Sequence, residues 1–143
     1  MESSLVLVTG ATGFIGRALV PALTAAGYEV RAAVRQHARP PEIPSAPEMF
    51  ALGEIGPDTD WEEALKGVAA VVHLAGRTHV VKETAADPLA LFRRVNIAGT
   101  ERLAQMAASR SVHRFIYLSS IKVNGEGTPE PYSEGHEPAP EDY

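Results

Sequence analysis

Short apolar runs recur along the chain and predict the strands of a buried sheet. Residues 5–8 (LVLV) form a continuous run of leucine and valine, which is typical of a strand covered on both faces. Residues 29–34 (EVRAAV), 69–76 (AAVVHLAG) and 114–120 (RFIYLSS) are similar, and residues 49–52 (MFAL) form a weaker run. The pattern therefore predicts five strands.

Helical periodicity separates several of these runs. Apolar residues at helical spacing predict a first helix from residue 14 to Gly27, with a kink or a missing hydrogen bond at Pro21. Residues 59–67 (TDWEEALKG) predict a short helix with Thr59 or Asp60 as its cap. Residues 88–109 predict a long helix.

The order of these elements predicts the fold class. Strands that alternate with helices indicate parallel strands joined by right-handed crossovers, so we expect a doubly wound α/β sheet of the Rossmann type. Residues 36–48 hold four prolines and predict an irregular loop. After the fifth strand the chain is rich in Gly, Pro and Glu, so we expect the sheet to be incomplete at the C-terminus. Ligands of such sheets bind at the carboxyl ends of the strands.

Composition excludes several classes of protein. The chain has 143 residues with 45% hydrophobic content, which suits one globular core. No apolar run approaches the roughly 20 residues of a membrane helix, and no signal peptide precedes the first strand, so we expect a cytoplasmic protein without a membrane partner. A net charge of −5 argues against nucleic-acid binding. The chain has no cysteine, and we predict no metal site.

A glycine turn joins the first strand to the first helix. In VTGATGFIG, Gly10 can make the tight turn, Gly13 can let a diphosphate approach the backbone, and Gly16 can let helix and strand pack closely. Free amides and the positive dipole end of the helix would attract the diphosphate. The turn therefore predicts a dinucleotide site.

Four motifs in order carry a resemblance to a known family. TGATGFIG, VVHLAG (71–76), VNIAGT (95–100) and RFIYLSSIKVNG (114–125) resemble the extended short-chain dehydrogenase/reductase family, specifically its NAD-dependent epimerase/dehydratase group. The resemblance runs along the whole chain. It implies a Rossmann-type domain that binds a nicotinamide dinucleotide and acts on nucleotide-activated sugars.

The resemblance implies a set of cofactor-binding residues. They are Gly10, Thr12, Gly13, Phe14, Ile15, Gly16, Arg35, Glu54, Ile55, Leu74, Ala75, Gly76 and Asn96. The cofactor is NAD or NADP. NAD-specific members usually end the second strand with an acidic residue, but here Val34 occupies that place and Arg35 follows it. An arginine can pair with a 2′-phosphate, which slightly favours NADP. His73 is interpreted as a buried strand histidine rather than a metal ligand.

Two catalytic residues follow from the same resemblance. Ser120 stands where the family has its active-site serine or threonine, and Tyr143 ends the PAPEDY sequence that resembles the approach to the family's Tyr-x-x-x-Lys pair. The position after Tyr143 is an alternative, and Tyr132 is a rival whose fourth following residue is His136. The substrate candidates are Thr78, Lys122 and Asn124.

The predicted function is therefore an NAD(P)-dependent nucleotide-sugar epimerase or dehydratase. We expect residues 1–143 to be the N-terminal dinucleotide-binding domain of a longer enzyme, with the lysine and a C-terminal substrate domain outside this sequence, and we expect little turnover from this part alone. The longer protein is expected to form a homodimer through long helices. The alternatives are an NADPH-dependent reductase of the same family and a non-catalytic dinucleotide-binding sensor.

Overall fold

The computed structural model describes residues 4–35, 48–78 and 86–141. In chain order the strands are β1 (Leu5–Thr9), β2 (Glu29–Val34), β3 (Glu48–Ala51), β4 (Ala70–His73) and β5 (Arg114–Tyr117). The helices are α1 (Phe14–Ala25), α2 (Pro88–Phe92), a π-helical segment (Arg93–Gly99), α3 (Thr100–Ser109) and a 3-10 turn (Ile121–Asn124). Within the described residues, no helix is long and apolar enough to cross a membrane.

All five strands are parallel and pair in the order β3-β2-β1-β4-β5. The predicted α/β doubly wound parallel sheet is therefore confirmed. The chain leaves β1 towards β2 and β3, and later returns to pair β4 with the other edge of β1, in a register that sets Thr9 beside His73. The switch point of the sheet thus lies at the carboxyl ends of β1 and β4, which is where ligands of such sheets bind.

The core has one layer on each face of the sheet. Val6 and Val8 of β1 pack with α1, whereas Leu7 points to the opposite face and packs with Trp61 and Leu103. This alternation explains why β1 reads as a continuous apolar run, since both of its faces are covered. Each fully buried leucine contributes roughly 1.5–3 kcal/mol.

The predicted first helix ends as expected. Gly27 has a φ of +89°, and the amides of Gly27 and Tyr28 donate to the carbonyls of Thr24 and Leu23 at 3.0 and 3.1 Å. These two bonds form a Schellman motif, which needs a residue that tolerates the left-handed conformation. The helix continues through Pro21.

The predicted short helix at residues 59–67 is wrong. Asp60 does cap a first turn, because its carboxylate accepts from the amide of Glu62 at 2.9 Å. The segment then continues as turns, since the guanidinium of Arg31 on β2 donates to the carbonyls of Ala64 at 2.8 Å and Lys66 at 2.9 Å. Arg31 thus supplies donors that a continuing helix would have supplied.

The predicted long helix at residues 88–109 is confirmed in its limits but not in its regularity. Asp87 caps its start by accepting from the amide of Ala90 at 2.9 Å. Its middle, Arg93–Gly99, is π-helical, a conformation in which amides bond carbonyls five residues back. A Cβ at Gly99 would lie 2.6 Å from the side chain of Ile55, so a glycine is needed where the helix crosses the loop after β3.

Candidate functional site

The glycine turn lies at the switch point of the sheet. Gly10 has a φ of +66°, and a Cβ added to it would lie 2.8 Å from Ala75 N and from Leu74 C. A Cβ at Gly16 would lie 2.3 Å from Gly10 O. These two glycines are therefore needed for the turn and for close packing, as the sequence predicts.

Gly13 differs from the other two glycines of the turn because it faces outward. It is exposed and directly precedes α1, and a Cβ there would meet Gly10 O at 3.1 Å and no other atom within 4 Å outside its immediate neighbours. Phe14 and Ile15 follow in the first turn of α1, 97% and 47% exposed. Thr12 is half-buried, and its carbonyl accepts from Arg17 Nε at 3.0 Å. The start of α1 thus presents backbone amides to an open surface.

The segment after β4, residues 74–77, lies against this turn and is held near both ends by side chains. The amides of Leu74 and Ala75 donate to Thr9 Oγ1 at 3.2 and 3.1 Å. The amide of Arg77 donates to Asn96 Oδ1 at 2.7 Å, and Asn96 Nδ2 donates to the carbonyl of Arg77 at 2.9 Å. We call residues 74–77, which include the predicted cofactor residues Leu74, Ala75 and Gly76, the β4 segment.

Asn96 therefore has a local structural role. Both ends of its side-chain amide bond the backbone of the β4 segment, which explains an asparagine in the middle of a helix. A Cβ at Gly76 would lie 3.3 Å from Asn96 Oδ1, so the two residues are close. A contact between Asn96 and a cofactor stays a prediction.

His73 is buried at the end of β4, in agreement with its interpretation as a strand histidine. It is 1% exposed, and burial lowers its pKa from 6.5 to about 4. Its Nδ1 lies 2.6 Å from Thr9 Oγ1, and its Nε2 lies 2.9 Å from Thr100 Oγ1. The neutral ring therefore joins β1, β4 and α3.

Three predicted cofactor-binding residues, Arg35, Glu54 and Ile55, lie after the ends of β2 and β3. Arg35 directly follows β2 and is exposed, and Glu54 is exposed in the loop after β3. Ile55 is half-buried and packs on the core beneath. Leu52 donates its amide to the carbonyl of Val34 at 2.9 Å, which keeps the two strand ends side by side.

Ser120 lies at the end of the segment that follows β5. Its Oγ accepts from the amide of Lys122 at 3.3 Å, so the hydroxyl hydrogen remains available for another acceptor. It borders an open cavity of about 490 Å³ lined by Ser119, Ser120, Ile121, Asn124, Tyr132, Ser133 and Glu134. The structure thus brings Ser120 together with Asn124 and Tyr132.

The other predicted substrate residues are placed differently. Lys122 Nζ pairs with the carboxylate of Glu126 at 2.7 Å and does not line the cavity. Thr78 is exposed beyond the β4 segment. Tyr143 lies outside the described residues.

The loop after the 3-10 turn folds back to form the wall of this cavity. Ala139 donates its amide to the carbonyl of Val123 at 2.8 Å, and Asn124 Nδ2 donates to the carbonyl of His136 at 3.3 Å. The rings of Tyr132 and His136 meet edge to face, with centroids 5.5 Å apart. Ser133 and Glu134 therefore line the cavity, although their loop-like sequence gives no signal that they would.

Sequence reasoning also missed Thr9. It is fully buried at the end of β1, and its hydroxyl accepts from two amides of the β4 segment. A hydroxyl residue that ends an otherwise apolar buried strand was the available signal, because a buried hydroxyl needs partners.

Known proteins resemble this chain in sequence and in fold. The sequence model of the NAD dependent epimerase/dehydratase family matches residues 6–142. A UDP-glucose 4-epimerase of Vibrio cholerae is 47% identical over 124 residues, which are 86% of this chain and 37% of that protein. A dihydroflavonol 4-reductase of Hordeum vulgare is 33% identical over 144 residues, covering 88% of this chain and 38% of that protein.

A solved structure resembles this chain in both fold and sequence. MoeE5 in complex with UDP-glucose and NAD is 30% identical with a TM-score of 0.74, and the match covers 94% of this chain and 42% of that one. The chain thus spans less than half the length of the proteins it matches. It belongs to the NAD dependent epimerase/dehydratase family.

Proposed function

We propose that this chain binds a nicotinamide dinucleotide and that the protein acts on a nucleotide sugar as an epimerase or dehydratase. One observation carries the proposal: a glycine turn with an open outer face lies at the switch point of a parallel sheet, against a β4 segment that Thr9 and Asn96 hold in place. Switch points of this kind bind dinucleotides.

The residues of the turn fit a diphosphate. Gly13 has no side chain to occupy the space outside the turn. The first amides of α1 have no carbonyl partner within the helix, and such amides suit an anion. The exposed side chains of Phe14 and Ile15 flank that space. The diphosphate would therefore lie between the start of α1 and the β4 segment.

The cavity beside Ser120 suits the sugar. Three serine hydroxyls, an asparagine amide and a tyrosine line it, and such groups can exchange hydrogen bonds with sugar hydroxyls. UDP-glucose is bound by MoeE5, and UDP-glucose 4-epimerase is the name of the relative from Vibrio cholerae. We therefore propose a nucleoside-diphosphate hexose as the substrate.

Ser120 and Tyr143 are proposed to handle the proton. The hydroxyl of Ser120 would donate a hydrogen bond to the reacting sugar oxygen while Tyr143 removes its proton. A free tyrosine has a pKa of about 10, and lowering it by about 3 units requires roughly 4 kcal/mol of stabilisation from a positive charge. The lysine of the family's Tyr-x-x-x-Lys pair would supply that charge. Bound nicotinamide supplies the acceptor and donor of the hydride.

A reductase is the second candidate. The dihydroflavonol 4-reductase of Hordeum vulgare is a relative, and exposed Arg35 stands where a 2′-phosphate could bind. The NAD bound by MoeE5 supports NAD instead. A non-catalytic sensor is the weaker alternative, since it gives no reason for a polar cavity beside Ser120.

Titration calorimetry with NAD and NADP tests the proposal. We expect the chain to bind NAD. If Arg35 pairs with a 2′-phosphate, Arg35→Ala should weaken the binding of NADP at least threefold more than the binding of NAD. The longer protein, with the lysine and the substrate domain expected beyond this sequence, should then interconvert UDP-glucose and UDP-galactose in an assay with added cofactor. Binding of neither dinucleotide would refute the proposal, whereas reduction of a ketone with NADPH and no sugar turnover would favour the reductase.

A further inference from the structure

His73 has hydrogen-bond partners on two other elements, and their chemistry defines its tautomer. Thr9 Oγ1 accepts from the amides of Leu74 and Ala75, which can only donate. The amide of Leu74 divides its hydrogen bond between Thr9 Oγ1 and the carbonyl oxygen of Thr9, which lies 3.3 Å away. The amide of Ala75 lies 3.1 Å from Thr9 Oγ1. With its lone pairs used in this way, the Thr9 hydroxyl must donate its hydrogen to His73 Nδ1, 2.6 Å away.

The role of His73 Nε2 follows from the role of Nδ1. If Nδ1 accepts, the neutral ring carries its hydrogen on Nε2 and donates it to Thr100 Oγ1 at 2.9 Å. Thr100 begins α3, four residues after Asn96, which bonds the far end of the β4 segment. The long helix thus bonds the end of β4 through a histidine side chain and the β4 segment through an asparagine amide.

From this network we propose that His73 is a positioning residue for the dinucleotide site. Its ring fixes the direction of the Thr9 hydroxyl, and that hydroxyl fixes the amides of Leu74 and Ala75 against Gly10, where a Cβ would already be too close. The inference rests on the proposed dinucleotide function but assigns no contact between His73 and the cofactor.

The surroundings of the ring favour this neutral state. In the described part of the chain, the ring has Thr9 and Thr100 as hydrogen-bond partners and Phe115 and Tyr117 as aromatic neighbours, whose ring centroids lie 6.2 and 5.8 Å away. None of these four residues has a carboxylate or a basic side chain. A protonated ring would have to donate from Nδ1, which would compete with the amides of Leu74 and Ala75 for Thr9 Oγ1.

The test compares NAD dissociation constants of variants of the full chain at pH 7. His73→Phe keeps an aromatic ring but removes the acceptor, and we expect it to weaken NAD about tenfold. His73→Asn offers a carbonyl oxygen to Thr9, so it should recover NAD binding to within about threefold of the wild type. Thr9→Ser should bind like the wild type, whereas Thr9→Val should resemble His73→Phe.

Two further readouts separate this role from a general loss of stability. Combining His73→Phe with Thr9→Val should weaken NAD no more than either change alone, because both break one chain of hydrogen bonds. Long-range ¹⁵N–¹H spectra of the wild type should show His73 protonated on Nε2, a readout that requires no variant.

The outcomes are distinguishable. Protonation on Nδ1, unchanged NAD affinity in folded His73→Phe, or equal losses in His73→Phe and His73→Asn would each overturn the inference while leaving dinucleotide binding intact. A wild-type chain that binds neither NAD nor NADP would overturn the proposed function, and the inference with it.

Discussion

Replacing Gly10 by alanine tests whether the glycine turn is packed against the β4 segment. The added Cβ would lie 2.8 Å from Ala75 N and Leu74 C, both backbone atoms that cannot rotate away. The φ of +66° adds a conformational cost of about 1–2 kcal/mol for a residue with a Cβ. Overpacking typically adds about 1–3 kcal/mol, so we expect Gly10→Ala to lower the free energy of unfolding by about 2–5 kcal/mol.

Gly27→Ala is the matched control. Gly27 has a φ of +89°, but a Cβ there meets no atom within 4 Å. Gly27→Ala should therefore lower the free energy of unfolding only by the conformational cost, about 1–2 kcal/mol. The difference between the two variants isolates the close approach of the turn to the β4 segment.

Urea denaturation provides the measurement. Trp61 is the single tryptophan and is fully buried, so its fluorescence reports loss of the core. The transition midpoint should fall further for Gly10→Ala than for Gly27→Ala, with unchanged slopes. Equal losses in the two variants would refute the packing of Gly10 on the β4 segment.

Three other changes test separate parts of the account. The pKa of His73 is about 4 in the folded state and 6.5 in the unfolded state, so the unfolded state gains the proton first as the pH falls. The free energy of unfolding of the wild type should therefore fall by about 3 kcal/mol between pH 7 and pH 4 relative to that of His73→Asn, measured by urea denaturation at each pH. Asn96→Ala removes two hydrogen bonds to Arg77 and should cost about 1–3 kcal/mol in the same assay, and an unchanged midpoint would contradict the role of Asn96. Ser120→Ala in the active protein should lower kcat about 10²-fold or more without changing the affinity for NAD, and an equal kcat would exclude Ser120 from proton handling.

Local sequence patterns were sufficient for the parts of the fold that local interactions determine. The limits of β2 match the predicted residues, because its apolar run is bounded by a glycine turn and a proline-rich loop. Gly27 ends α1 as predicted, since only a residue tolerant of the left-handed conformation completes that motif.

The errors arise where distant residues intervene. The helix predicted at residues 59–67 becomes a series of turns whose carbonyls bond Arg31, about thirty residues earlier in the sequence. Periodicity within a segment carries no information about such a donor. The π-helical conformation of Arg93–Gly99 likewise has no signal in its residues.

The candidate site was predictable in its glycines but not in its supports. The spacing of Gly10, Gly13 and Gly16 was enough to predict their roles, because each role requires only that no side chain be present. Thr9 supports the site through bonds to Leu74 and Ala75, residues more than sixty positions away, so the fold had to be known first. The cavity beside Ser120 depends on a loop that returns to it, which composition alone does not predict.

Calorimetric titration of NAD into Gly13→Ala tests the central claim most directly. Gly13 has an ordinary φ of −76°, and an added Cβ would lie 3.1 Å from Gly10 O, which must move by a few tenths of an ångström. We therefore expect an alanine to leave the chain folded while it adds a methyl group where the proposal places the approach of the diphosphate to the backbone. Gly127→Ala, where a Cβ meets no atom within 4 Å, is the control. We predict that Gly13→Ala weakens NAD at least tenfold while Gly127→Ala binds like the wild type; a folded Gly13→Ala chain with wild-type affinity would contradict the proposal that the diphosphate binds at this turn.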